Sequence, residues 1–123
     1  MVELLHDFPA HVAAYRASGA ISKEEYEELV VSRVNEVALS FNKINFLVLL
    51  ETDIDNYSIG SFFDYLKVSF EHFFKWNRMA IVSDQKSVRT FYDTLSPLVH
   101  GEVRGYTHHD YHEAKKWVSA PID

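Results

Sequence analysis

Residues 44–50 read Ile-Asn-Phe-Leu-Val-Leu-Leu and are apolar at every position except Asn45. A strand with one face in water alternates apolar and polar residues, whereas a strand covered on both faces is apolar almost throughout. Strands of the second kind are typical of parallel sheets that are packed by helices. This stretch therefore predicts a central parallel strand and places the chain in the α/β class.

The segments before this strand predict a hairpin and a well-marked helix. Residues 2–5 and 11–17 are short, strand-like stretches separated by a turn, and such close neighbours are expected to pair antiparallel. Ser22 and Glu25 have the spacing of a capping box, which satisfies free amides at the start of a helix. The apolar stripe of that helix is predicted to comprise Tyr26, Leu29, Val30, Val34, Val37 and Ala38.

The segments after residue 50 alternate between helical and strand-like patterns. The predicted strands are residues 79–82 and 102–106, and the predicted helices begin between Ser58 and Ser61, at Asp84 and at Tyr111. The complete order is β-β-α-β-α-β-α-β-α. It predicts a five-stranded mixed sheet, mostly parallel, with about four helices in a single domain over residues 1–123.

Composition narrows the classes of function. The chain has no cysteine, which excludes disulfides, thiolate catalysis and cysteine-based zinc sites. Its formal net charge is −6 without a cluster of Lys and Arg, which argues against nucleic-acid binding through phosphates. No apolar run approaches the ~20 residues of a transmembrane segment, and the acidic start is unlike a signal peptide, so we expect a cytoplasmic location.

Four short blocks carry a family resemblance. They are residues 19–26 (Gly-Ala-Ile-Ser-Lys-Glu-Glu-Tyr), 78–84 (Arg-Met-Ala-Ile-Val-Ser-Asp), 101–104 (Gly-Glu-Val-Arg) and 113–118 (Glu-Ala-Lys-Lys-Trp-Val). In content and order they resemble blocks of the SpoIIAA-like proteins of the STAS superfamily. The resemblance implies a STAS-type fold, related in shape to bacterial anti-sigma-factor antagonists and to CRAL-TRIO lipid-carrying domains. It implies no established reaction.

Residues 62–76 hold an excess of aromatic side chains. The predicted second helix carries Phe62, Phe63, Tyr65, Leu66, Phe70, Phe73, Phe74 and Trp76. One stripe of them is expected to pack in the core. The remainder either packs there as well or marks an apolar-ligand groove, contact with a membrane surface or a homodimer interface. For a ligand pocket beside the sheet, the expected lining is Phe63, Leu66, Phe70, Phe73 and Phe91.

Ser58 and a histidine cluster are further candidate sites. In anti-sigma-factor antagonists, a phosphorylated Ser begins the helix after the central strand. The matching residues 55–61 lack the intact motif, so an N-cap role for Ser58 is the simpler interpretation. His108 and His112 are four residues apart and could bind a metal together with His109, but a polar loop leading into an exposed helix is the simpler interpretation.

Acidic residues follow the central strand at its C-terminal end, where open α/β sheets bind ligands. Glu51, Asp53 and Asp55 could hold a divalent cation, but a solvated acidic loop is the simpler interpretation.

The sequence contains no catalytic motif. It therefore predicts a non-enzymatic module, without a cofactor, for a small hydrophobic or lipid-like ligand, including peripheral membrane contact. The alternatives are a protein-interaction or regulatory STAS module with a protein partner and, third, a small metal-dependent enzyme.

Overall fold

The computed structural model describes residues 1–51, 75–85 and 101–121. These residues form one sheet with the strands β1 (Val2–Leu4), β2 (Val12–Ala17), β3 (Ile44–Leu50), β4 (Trp76–Val82) and β5 (Glu102–Tyr106). The strands lie side by side in chain order, with β1 antiparallel to β2 and all other neighbours parallel. The predicted five-stranded, mostly parallel sheet with a central strand at residues 44–50 is thereby confirmed.

The first helix, α1, spans residues 23–41 and begins at the predicted capping box. The Ser22 hydroxyl accepts a hydrogen bond from the Glu25 amide at 3.1 Å, and the Glu25 carboxylate accepts one from the Ser22 amide at 3.4 Å. The helix consists of α-helical Lys23–Glu25, π-helical Tyr26–Val31 and α-helical Ser32–Phe41. A left-handed Asn42 (φ 59°) ends it, a conformation that Asn tolerates better than most residues.

Tyr15 of β2 supports the wide π-helical turn. Its buried hydroxyl lies 3.1 Å from the carbonyl oxygen of Leu29 and 3.2 Å from that of Val30, and donates to this pair. A π-helical segment displaces carbonyls from the usual α-helical bonding pattern, so an outside donor there is stabilising. Leu29 corrects the predicted stripe because it is 38% exposed. The stripe was counted at roughly 3.6 residues per turn, and a wider turn moves Leu29 off it.

Each face of the sheet carries its own core. The helix α1 packs Tyr26, Val30 and Val34 onto one face. The second helix, α2 (Tyr111–Val118), follows a 3-10 turn at His108–Asp110 and packs onto the other face. The core on the α2 side consists of Val12, Ala14, Leu47, Ala80, Val82, Ala114 and Val118. Because both faces are covered, β3 is buried along nearly its whole length, as its apolar sequence predicts.

Trp76 corrects the predicted aromatic helix. It is the first residue of β4, is 1% exposed and packs edge-on against Phe46 of β3, with ring centroids 5.9 Å apart. Strand pairing with Ile44 holds it there. The described residues contain the helices α1 and α2, against the predicted four or so. The other two predicted helices fall on residues 52–74 and 86–100, outside the described residues.

Candidate functional site: a groove between β5 and α2

The helix α2 covers only part of its face of the sheet. It packs chiefly on β3 and β4, so a groove of 510 Å³ remains between α2 and β5. We call this the β5–α2 groove. Alternate residues of a strand share a face, which brings Arg78 of β4 to the same side as two residues of β5. The groove is lined by Arg78, Arg104, Tyr106, Glu113, Lys116, Trp117 and Ala120.

Two aromatic rings form the apolar part of the groove. The ring centroids of Tyr106 and Trp117 are 6.3 Å apart, with the planes tilted by 47°. The guanidinium carbon of Arg104 lies 4.5 Å from the centre of the Trp117 ring, and that of Arg78 lies 5.2 Å from it. Both distances are within the range of cation–π attraction. The Trp117 ring is therefore fixed against the sheet while remaining half-exposed.

The Arg104 side chain forms hydrogen bonds with neighbours on its own strand. Its Nε donates to a carboxylate oxygen of Glu102 at 2.6 Å. Hydrogen bonding with the Tyr106 side chain and with Glu102 raises the pKa of Arg104 above its usual value. The exposed guanidinium is thus held in one orientation, and its charge is already matched by a carboxylate.

Arg78 and Asn45 bind the end of α2. The Nη1 of Arg78 donates to the Trp117 carbonyl and the Nδ2 of Asn45 donates to the Val118 carbonyl, both at 2.6 Å. The last carbonyls of a helix have no partner within the helix, so these bonds cap its C-terminus. The positive charge of Arg78 also stabilises the negative end of the helix dipole.

Two cations of the groove lack a carboxylate partner among the residues that the structure describes. Within the described residues, neither Arg78 nor Lys116 forms an ion pair. Arg78 is half-buried, and Lys116 is exposed at the rim. Positive charges that are partly removed from water are usually paired. In a chain with a net charge of −6, the groove thus brings two cations that are unpaired among the described residues close to two rings.

His108 lies at the C-terminal edge of the sheet, outside this groove. Its Nε2 is 2.7 Å from the carbonyl oxygen of Leu50, its amide donates to Asp84 at 2.9 Å, and its Nδ1 is 3.6 Å from the same carboxylate. Since a carbonyl oxygen only accepts, Nε2 carries a proton and is not a free metal ligand. His109 and His112 are exposed, and the described residues bring no three potential ligands together. The geometry gives His108 a linking role between strand ends.

Only some of the other predicted site residues lie within the described part of the chain. Glu51 forms an ion pair with Arg16 of β2, with an N–O distance of 2.9 Å. Its predicted partners Asp53 and Asp55 lie outside the described residues. So do Ser58 and the whole predicted ligand pocket, namely Phe63, Leu66, Phe70, Phe73 and Phe91. These interpretations therefore remain predictions.

The β5–α2 groove was not predicted from the sequence. Its three cations come from β4, β5 and α2 and are far apart in the chain. A weak signal was present only for Arg78, because Ala80 and Val82, which follow it on the same face of β4, are apolar. Within the described residues, no helix has the length and apolar character needed to cross a membrane.

Comparisons with known proteins agree with this architecture. The sequence profile of the SpoIIAA-like family matches residues 12–119. The fold is similar to the crystal structure of an uncharacterized protein with a SpoIIAA-like fold from Shewanella loihica PV-4, with a TM-score of 0.60 and 18% sequence identity. That similarity covers 96% of this chain and 92% of the other. No curated protein shows significant sequence similarity to the chain.

Proposed function

The chain belongs to the SpoIIAA-like family, and from this premise we propose that it is a non-enzymatic interaction module that binds an acidic segment of a partner protein in the β5–α2 groove. This is the regulatory or interaction role among the alternatives that the sequence leaves open. The fold alone does not decide between partners, so the proposal rests on the groove itself.

The observation that supports it is that Arg78 and Lys116 have no carboxylate partner in the part of the chain that the structure describes. A guanidinium has several N–H donors, and Arg78 uses one of them on the Trp117 carbonyl. The remaining donors and the Lys116 ammonium can bind a carboxylate, which would match charge that has no ion-pair partner among the described residues. The net charge of −6 repels an acidic partner at long range. Binding therefore depends on short-range contacts in the groove. Such contacts favour selectivity among acidic partners over a high association rate.

The other functions predicted from the sequence are separate from this proposal, and the structure adds no support to them. A pocket for a small hydrophobic or lipid-like ligand, peripheral membrane contact and a homodimer all follow from the aromatic excess at residues 62–74. The removal of Trp76 from that segment to β4 reduces the excess by one large ring. A phosphorylation switch at Ser58 rests on the resemblance to anti-sigma-factor antagonists.

The test is an NMR titration with two short glycine-serine peptides, blocked at both ends, that carry a central Ala-Glu or Ala-Gln pair. We expect the Ala-Glu peptide to shift the indole signal of Trp117 and the amide of Lys116. The buried indole of Trp76 serves as an internal reference and should not move. Shifts should weaken as salt is added, because exposed charges are screened over about 10 Å at 0.1 M salt.

A charge-removing variant identifies the surface. Lys116→Gln should weaken Ala-Glu binding by about fivefold, the effect of losing one exposed ionic contact. Lys23→Gln is the matched control, since Lys23 is an exposed helical lysine on α1. Equal shifts from the Ala-Glu and Ala-Gln peptides, or shifts centred away from Trp117, would overturn the proposal.

A further inference from the structure

We infer that the acidic segment bound in the β5–α2 groove carries an aromatic residue next to its carboxylate, and that this ring packs on Trp117 and Tyr106. This inference rests on the proposed function and specifies the class of partner. It follows from a division of roles among the three cations of the groove, which lie around the same two rings.

Arg104 positions a ring and is not the receptor for the anion. Its charge is matched by Glu102 at 2.6 Å, while its guanidinium lies 4.5 Å from the centre of the Trp117 ring. Arg78 and Lys116 have no such carboxylate within the described residues. An incoming carboxylate therefore meets Arg78 and Lys116, and Arg104 keeps Trp117 in place beside them.

The two rings provide a surface for another ring. At a centroid separation of 6.3 Å, Tyr106 and Trp117 are in direct contact, so no ring fits between them. Both rings are half-exposed and line the groove together with the cations, so their exposed parts give the groove an apolar patch. A partner side chain that covers this patch removes apolar area from water and adds an aromatic contact, which a carboxylate alone does not do.

Glu113 makes a dense run of acidic residues a poor occupant. It lines the same groove and forms no ion pair within the described residues. A second carboxylate of the partner would meet this like charge. The groove thus fits one acidic residue beside one ring better than a polyacidic segment.

The test adds two peptides, in which Phe replaces Ala in the Ala-Glu and Ala-Gln probes. For the unmodified protein, we expect the Phe-Glu peptide to bind roughly twofold to tenfold more tightly than the Ala-Glu peptide. Arg104→Gln should bring that ratio close to one while the preference for Glu over Gln remains. Lys116→Gln should weaken both Glu peptides by a similar factor and leave the Phe-to-Ala ratio unchanged.

Arg16→Gln is the matched control for Arg104→Gln. Both arginines lie on strands, their side chains are 49% and 48% exposed, and each pairs with a glutamate. This control should change neither ratio. Equal affinity for the Phe-Glu and Ala-Glu peptides would overturn the inference and leave the proposed function intact. Equal affinity for Glu and Gln peptides would overturn the proposed function, and a loss of the Glu preference in Arg104→Gln would make Arg104 the anion receptor instead.

Discussion

The side-chain amide of Asn45, the second residue of the apolar strand β3, donates to the carbonyl oxygen of Val118 at 2.6 Å and so ties the central strand of the sheet to the end of α2. Asn45 is completely buried. Its own oxygen accepts a hydrogen bond from Asn77 of β4 at 2.8 Å, which fixes the orientation of its amide. A buried polar group of this kind is tolerated because both of its ends are bonded.

Asn45→Ala should lower the free energy of unfolding by about 2–4 kcal/mol, because it leaves the Val118 carbonyl and the Asn77 amide without their partner and opens a small cavity. Urea unfolding measures this. Asn77→Ala should cost less, since Asn77 is half-buried and the bond to Val118 survives. A smaller loss for Asn45→Ala than for Asn77→Ala would contradict this account of α2 docking.

Gly101→Ala should destabilise the protein by about 2 kcal/mol or more, because its new Cβ would overlap backbone. The Cβ would lie 2.0 Å from the carbonyl oxygen of Asn77, which cannot move aside as a side chain could. Gly19→Ala is the control: the space around it is open, and its φ of +56° makes the expected cost about 1 kcal/mol. Equal melting temperatures for the two variants would show that the backbone around Gly101 and Asn77 moves apart easily.

Tyr15→Phe should lower the free energy of unfolding by about 1–2 kcal/mol, since the carbonyls of Leu29 and Val30 lose their donor. Burial raises the pKa of the Tyr15 hydroxyl above its ordinary value of 10.0. The contribution of a group with a raised pKa is complete below the unfolded value and is lost as pH rises toward the folded value. Stability should therefore fall above pH 10.0, less steeply in Tyr15→Phe. An identical alkaline fall in both proteins would refute this role.

Glu25→Gln should reduce the acid sensitivity of folding. Partial burial acts to raise the pKa of Glu25, but hydrogen bonds from the amides of Val2 and Ser22 outweigh it and lower the pKa below the usual 4.5. Stability from a lowered pKa is complete above 4.5 and is lost as pH falls through the folded value. Urea unfolding at neutral pH and below pH 4.5 checks this. Glu27→Gln, an exposed control on the same helix, should leave the acid profile unchanged.

Helices and strands were predicted correctly where a short stretch of sequence is enough to determine them. The capping box of Ser22 and Glu25 and the apolar run at residues 44–50 each depend on neighbours in sequence, and both are confirmed. Trp76 was misplaced because an aromatic residue at the end of a helical pattern looks the same as one at the start of a buried strand. Its pairing with Ile44, which decides the matter, is a tertiary contact.

The β5–α2 groove could not be predicted from local sequence patterns. Arg78, Arg104 and Trp117 meet only because β4 and β5 are adjacent and in register while α2 crosses to the opposite face from α1. Periodicity indicates which face a residue occupies within its own strand, but not which strands are neighbours or where a helix stops covering the sheet. The β5–α2 groove lies where α2 stops covering the sheet, which the sequence pattern does not indicate.

The arrangement of the five strands in chain order has a consequence for how the protein forms. Each strand pairs with the one that precedes it in the chain, and none lies between two strands that come earlier, so no strand has to be inserted into a sheet that has already formed. Pairings between successive segments keep the contact order moderate for a parallel sheet, and a moderate contact order is associated with faster folding. The sheet can therefore grow outward from the hairpin in the direction of synthesis.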